Sequence, residues 1–157
     1  MSFSRLLERF RDGFSSQAGG GAKTEDPLRL ATAAVLLEIA HADGQFTPAE
    51  DGDVVGFLKS AFQLDEPAVR ELIATADDMR QHTIDHFALT NYIRRNLSLQ
   101  QRIDIVKTMW RVAYSDGRLT DYENYLVRKL ADLLGLEHHV MIGAKVDVLR
   151  ELGMATE

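Results

Sequence analysis

Two short segments of this sequence share a pattern that can bind a metal ion. Residues 39–50 read IAHADGQFTPAE and residues 112–123 read VAYSDGRLTDYE. Ala, Asp, Gly, Thr and Glu are identical in the two segments at equal spacing. Carboxylate oxygens are the ligands that hard divalent cations prefer. The candidate metal ligands are therefore Asp43, Glu50, Asp116 and Glu123.

The pattern matches the second half of a calcium EF-hand loop, because Gly falls at the turn position and Glu closes the loop. The first two ligand positions of such a loop would hold Ile39 and His41 in one segment, and Val112 and Tyr114 in the other. None of these supplies a carboxylate or amide oxygen, so a self-contained EF-hand does not fit. A weaker site stays open, in which each Asp–Glu pair binds a cation with backbone carbonyls and water, or the two loops meet and share one ion.

The same residues also have a purely structural interpretation. Gly44 and Gly117 are placed to take the left-handed conformation that ends a helix. Thr47 and Thr120 are placed to cap the next helix, with the Glu three residues later completing a capping box. This interpretation accounts for every shared residue except the two aspartates. We expect the capping role at both loops and keep metal binding as an additional hypothesis.

The chain around the loops is predicted to be all-α. Apolar residues recur at helical spacing, and no sustained alternation indicates a strand. About seven helices are expected after residue 26, near 27–42, 48–62, 66–80, 84–96, 99–113, 121–134 and 137–152. Because the two loops recur in the same helix–loop–helix context, we expect a single-domain helical bundle with an internal pseudo-two-fold repeat.

Composition divides the chain into three parts. Residues 1–16 are predicted to form an amphipathic helix, with Phe and Leu on one face and arginines between them. Residues 17–26 are a Gly-rich linker and residues 27–157 form the helical domain. The N-terminal helix can pack on the domain, dock on a protein partner or make weak peripheral contact with an anionic membrane. We favour packing or docking.

Composition also limits the function classes. The 157 residues include no cysteine, which excludes disulfides, thiolate catalysis and Cys-ligated zinc. The net charge of −6 argues against a nucleic-acid partner, since phosphate contacts need a basic face. No apolar run is long enough to span a bilayer, and the N-terminus lacks the pattern of a secretory signal. We therefore expect a cytoplasmic location.

Other candidate sites have weaker support in the sequence. His82 and His86 stand four residues apart and can share a zinc ion on one helical face, but we expect Thr83 to cap a helix between them. Asp77 and its neighbour Asp78 are expected at a solvated helix end. No nucleophile elbow or P-loop pattern occurs. A hydrolase using metal-bound water is accordingly the least favoured hypothesis.

On Ala40–Glu50, Ala113–Glu123 and the apolar helix before each, the sequence resembles the TerB family, named for tellurite-resistance proteins. The resemblance covers roughly residues 27–152. It implies an all-helical fold with two pseudo-symmetric halves, and association with stress-response systems near the membrane. It also implies acidic loop residues proposed to bind a divalent metal, which in this chain are Asp43, Glu50, Asp116 and Glu123. Tellurite resistance itself is not carried over, because a fold does not determine a function.

These observations lead to one expected function and one alternative. We expect a non-enzymatic helical interaction module whose paired acidic loops bind a divalent metal, with calcium as the first candidate. It would have a protein partner, and a homo-oligomer stays open. The alternative is a structural adaptor in which the loops are only helix caps and bind no ion.

Overall fold

The computed structural model describes residues 27–42, 44, 46–82, 85–115, 117 and 119–154. Within these residues the chain forms seven helices and no strand. The helices are α1 (Pro27–Ala40), α2 (Pro48–Phe62), α3 (Glu66–His82), α4 (His86–Asn96), α5 (Leu99–Ala113), α6 (Asp121–Leu133) and α7 (His138–Glu151). The all-α prediction is confirmed. The helix and linker predicted for residues 1–26 lie outside the described residues.

Side-chain caps decide where several helices begin. The Ser98 hydroxyl accepts a hydrogen bond from the backbone N–H of Gln101, and the backbone N–H of Ser98 donates to Gln101 Oε1, so α5 opens on a complete capping box. The start of α4 differs from the prediction. Its N-cap is Asp85, whose carboxylate accepts from the backbone N–H of Ala88 at 3.1 Å. The prediction that Thr83 caps this helix was therefore wrong, because the carboxylate of Asp85, two residues later, takes that role.

Helix α1 lies at the centre of the bundle. All of its residues are buried except Leu28, Arg29 and Glu38, which are half-buried. It packs against α2, α3, α4, α5 and α6. A helix that is apolar nearly all round has to be surrounded in this way, because each exposed Leu or Ile would forfeit about 2 kcal/mol of burial.

The two halves of the domain repeat the same packing. In the first half α1 packs on α2 and α3, and in the second half α5 packs on α6 and α7. Between the halves α1 contacts α5, α2 contacts α5, and α6 contacts α1. Such exchanged contacts are those of a pseudo-two-fold arrangement, with α4 as the connection. No helix within the described part of the chain is long and apolar enough to cross a bilayer.

Candidate functional site

The loop between α1 and α2 ends in a capping box. The backbone N–H of Glu50 donates to the Thr47 hydroxyl at 3.2 Å, and the backbone N–H of Thr47 donates to Glu50 Oε1 at 2.7 Å. Before it, Gly44 has a φ of +84° and its N–H donates to the His41 carbonyl at 3.0 Å. The left-handed glycine turns the chain out of α1, and the threonine starts α2.

The loop between α5 and α6 has the same geometry. The backbone N–H of Glu123 donates to the Thr120 hydroxyl at 3.1 Å, and the N–H of Thr120 donates to Glu123 Oε1 at 2.9 Å. Gly117 has a φ of +92° and donates to the Tyr114 carbonyl at 2.9 Å. The capping role that the sequence predicted is thus present at both loops.

Both capping glutamates are buried, although a helix cap can work equally well at the protein surface. Glu50 is 3% exposed and Glu123 is 1% exposed. A carboxylate removed from water requires hydrogen bonds or positive charge around it, because its desolvation costs several kcal/mol. The backbone N–H groups at the start of α2 and α6 supply part of that compensation through the helix dipole.

The aspartates of the predicted metal site, Asp43 and Asp116, lie outside the described residues. Glu50 and Glu123 are the predicted ligands that the structure places. Among the described residues no group of three or more His, Asp and Glu side chains is arranged to hold a metal ion.

The start of α2 and the second loop line a common depression. Ala49 and Asp53, in the first two turns of α2, line the same depression as Ser115 and Gly117 of the second loop. The depression has a volume of about 500 Å³, and Arg111 and Tyr114 complete its polar wall. The residues that follow the first loop therefore lie against the second loop. The same contact on the other side of the pseudo-two-fold axis joins α6 to α1.

Asp53 brings a carboxylate of the first half to the second loop. Burial raises the pKa of this carboxyl above its ordinary value, Arg111 opposes the rise and Glu151 adds to it. The aligned position of the second half holds Leu126, which is buried. The sequence repeat therefore gave no signal for Asp53, since the acid is present in only one half.

A half-buried polar network joins α1, α3 and α4. Arg80 Nη1 donates to Glu38 Oε1 at 3.0 Å, and His86 Nε2 lies 3.0 Å from Glu38 Oε2. Arg80 also donates through Nε and Nη2 to Asp77 Oδ1, at 3.1 and 3.0 Å. Burial by itself would raise the pKa of Glu38, but the hydrogen bonds from His86 and Arg80 outweigh it and hold the pKa below its ordinary value.

The network corrects the expectation for Asp77, whereas the two histidines are separated by a helix boundary as expected. Asp77 is half-buried in an ion pair and does not lie at a solvated helix end. His82 and His86 lie on different helices, since His82 contacts the Asp78 carbonyl at 2.7 Å and His86 contacts Glu38. The only sequence signal for the network was Glu38 itself, a lone acid in an otherwise apolar helix.

The equivalent position in the second half carries the opposite charge. Alignment of the two loops places Arg111 opposite Glu38. Arg111 donates through Nε and Nη2 to the two oxygens of Glu151 on α7, at 2.6 and 3.0 Å. Each half therefore ties its central helix to its third helix by an Arg–Glu pair, and the polarity of the pair is reversed between them.

Together the fold and its repeated loops define a two-repeat helical bundle. The sequence profile described as tellurite resistance protein TerB matches residues 29–146. The chain therefore belongs to the TerB family, which confirms the resemblance drawn from the loop segments. No curated protein and no solved structure matches the chain.

Proposed function

We propose that this TerB-family chain is a non-catalytic, cytoplasmic interaction module whose two acidic loops bind a divalent cation. Calcium is the first candidate, because the ligands on offer are carboxylate and backbone oxygens. The observation that carries the proposal is that Glu50 and Glu123 are both almost fully buried in the same geometry.

The fit of the loops to a cation rests on their chemistry and position. Each loop contributes one buried glutamate, and the loop sequences add Asp43 and Asp116. A hard cation at each loop would take Asp and Glu oxygens as ligands while the capping hydrogen bonds stay in place. When bound, the ion would supply positive charge that pulls loop oxygens together, and the loops in turn set where α2 and α6 begin.

Residues that line the depression beside the second loop couple this loop to the rest of the bundle. Ala49 and Asp53 of α2 line it together with Ser115 and Gly117. A change in the second loop would therefore act directly on the first turns of α2. We propose that this coupling biases the arrangement of the two halves, or presents an acidic surface and its ion to a protein partner.

Calorimetric titration tests the proposal. Chelator-treated protein is titrated with calcium, magnesium, manganese and zinc, beside the double variant Asp43→Asn/Asp116→Asn. Saturable binding that this variant loses supports the proposal. The matched control is Asp65→Asn/Asp85→Asn, which changes two helix-capping aspartates outside the loops. Asparagine caps helices as well as aspartate does, so the control should bind like the wild type.

The complete capping boxes favour the second candidate, a structural adaptor without an ion. In that case every shared loop residue apart from the aspartates is already used in turning and capping the chain. Absence of binding by the wild-type chain at millimolar ion would select this candidate over the first.

A further inference from the structure

An apolar groove lies between α2 and α5, which both line it. It has a volume of about 360 Å³ and its floor includes Thr32 of α1. Five apolar side chains line it: Phe57, Ala61, Phe62, Leu97 and Ile105. Its polar rim consists of Ser60, Gln101, Asp104 and Arg111. Concave apolar surfaces of this kind ordinarily receive another apolar element.

The segment that precedes α1 is a candidate occupant of this groove. Helix α1 begins at Pro27, only five residues before Thr32 in the floor. Arg29, in the first turn of α1, lies over the ring of Phe62 at 5.6 Å from its centroid. Whatever precedes Pro27 therefore starts beside the groove.

The residues before Pro27 have the composition and reach that the groove requires. Residues 1–16 carry Phe and Leu at helical spacing, with three arginines and two acids, so they are net positive in a chain of net charge −6. The ten residues 17–26 can span at most about 33 Å. A tether of this length gives an effective concentration in the millimolar range, so even weak intrinsic affinity fills the groove.

We propose that residues 1–16 of this same chain dock their Phe/Leu face in the groove between α2 and α5. The contact is mainly apolar, because the two charged side chains that line the groove, Asp104 and Arg111, are of opposite sign. The occupied groove hides an apolar surface that a partner or a membrane must compete for. This inference does not depend on metal binding, so its failure would leave the proposed loop function untouched.

A disulfide-trapping experiment tests the docking directly. The chain has no cysteine, so two engineered thiols are the only ones present. The groove pair is Ser4→Cys with Ser60→Cys, on the exposed rim of the groove. The control pair is Ser4→Cys with Lys129→Cys, an exposed position on α6, which contributes nothing to the groove. Each full-length variant is equilibrated in glutathione buffer and its intramolecular disulfide is quantified.

Docking predicts an effective thiol concentration at least about tenfold higher for the groove pair than for the control pair. Adding Phe10→Asp to the groove pair should remove this excess, whereas adding Ser2→Asp should preserve it. Equal effective concentrations in the two pairs would overturn the proposal. Predominantly intermolecular disulfides at micromolar protein would also overturn it and assign the groove to a second copy.

Vesicles distinguish docking from membrane binding. A docked segment has to leave the groove before it can insert its Phe/Leu face in a bilayer. The variant Ala61→Gln narrows the groove from an exposed helical position without changing the net charge, so it should bind phosphatidylglycerol vesicles at least threefold more tightly than the wild type. Equal vesicle binding by the two proteins would contradict docking, with circular dichroism confirming that Ala61→Gln is folded.

Discussion

Replacing Glu123 by glutamine and by alanine separates its role as a cap from the effect of its charge. Glutamine keeps an oxygen that can accept from the N–H of Thr120, where the carboxylate now accepts at 2.9 Å. A charge-assisted hydrogen bond is roughly twice as strong as a neutral one of about 1 kcal/mol, so Glu123→Gln should lower the free energy of unfolding by about 1 kcal/mol. Weaker interaction with the helix dipole adds about 0.5 kcal/mol to that loss.

Alanine removes the acceptor altogether. Because Glu123 is 1% exposed, water has poor access to the N–H of Thr120 that loses its partner. An unsatisfied donor costs about 1–3 kcal/mol, and the shorter side chain leaves a void. We therefore expect Glu123→Ala to lower the free energy of unfolding by about 3 kcal/mol in total, which is about twice the effect of the glutamine variant.

The assay is urea unfolding followed by circular dichroism at neutral pH in chelator. The control is Glu137→Gln, because Glu137 occupies the N-cap of α7, is exposed and makes no side-chain capping hydrogen bond. The control should differ from the wild type by less than about 0.5 kcal/mol. The reasoning is refuted if Glu123→Ala is as stable as the wild type, or if glutamine is as damaging as alanine.

The same variants then report on the cation. A ligand at one hundred times its dissociation constant stabilises the folded state by about 2.7 kcal/mol. If the loop binds calcium, the wild type gains stability on its addition, and Glu123→Gln gains less although its cap is intact. Equal gains would remove Glu123 from the set of metal ligands.

Three further predictions follow from the packing. Glu38→Gln should be less stable than the wild type at pH 7, and the difference should shrink below about pH 4, because the lowered pKa of Glu38 contributes stability only while the group is ionised; a difference in unfolding free energy that is constant between pH 7 and 3 would contradict this. Gly52→Ala and Gly56→Ala should each raise the free energy of unfolding by about 1 kcal/mol, since both glycines are helical and a Cβ meets nothing within 4 Å; a lower urea midpoint would show that the reasoning fails. Gly135→Ala should lower the free energy of unfolding by about 1 kcal/mol more than Gly117→Ala in the same urea assay. Both glycines have positive φ, but only at Gly135 would the added Cβ approach Arg94 and Arg102, at 2.8 and 2.9 Å. Equal losses of unfolding free energy would mean that the arginines move aside freely.

The fold and the loop geometry were accessible from the sequence because their causes are local. Helical periodicity depends on residues within four positions of one another, and a capping box spans four residues. The capping boxes of Thr47 and Thr120 therefore predicted where α2 and α6 begin. The sequence repeat predicted the pseudo-two-fold arrangement, since two copies of one local pattern fold in the same way.

The polar contacts between helices could not be predicted from local sequence patterns. Glu38 meets Arg80 and His86 across 42 and 48 residues of chain, and Arg111 meets Glu151 across 40. Which charges meet depends on the crossing of packed helices, because a shift of one residue along a helix turns a side chain by about 100°. No spacing in the sequence records that crossing.

Burial was decided by the tertiary structure as well. The pattern of Glu50 and Glu123 is that of ordinary caps, yet both carboxylates are enclosed, whereas Asp65 and Asp85 cap helices at the surface. The apolar groove likewise depends on the packing of α1, α2 and α5, because all three helices line it. Local sequence sets which helices form and where they begin, but the free energy of a charge or an apolar face depends on what the other helices place around it.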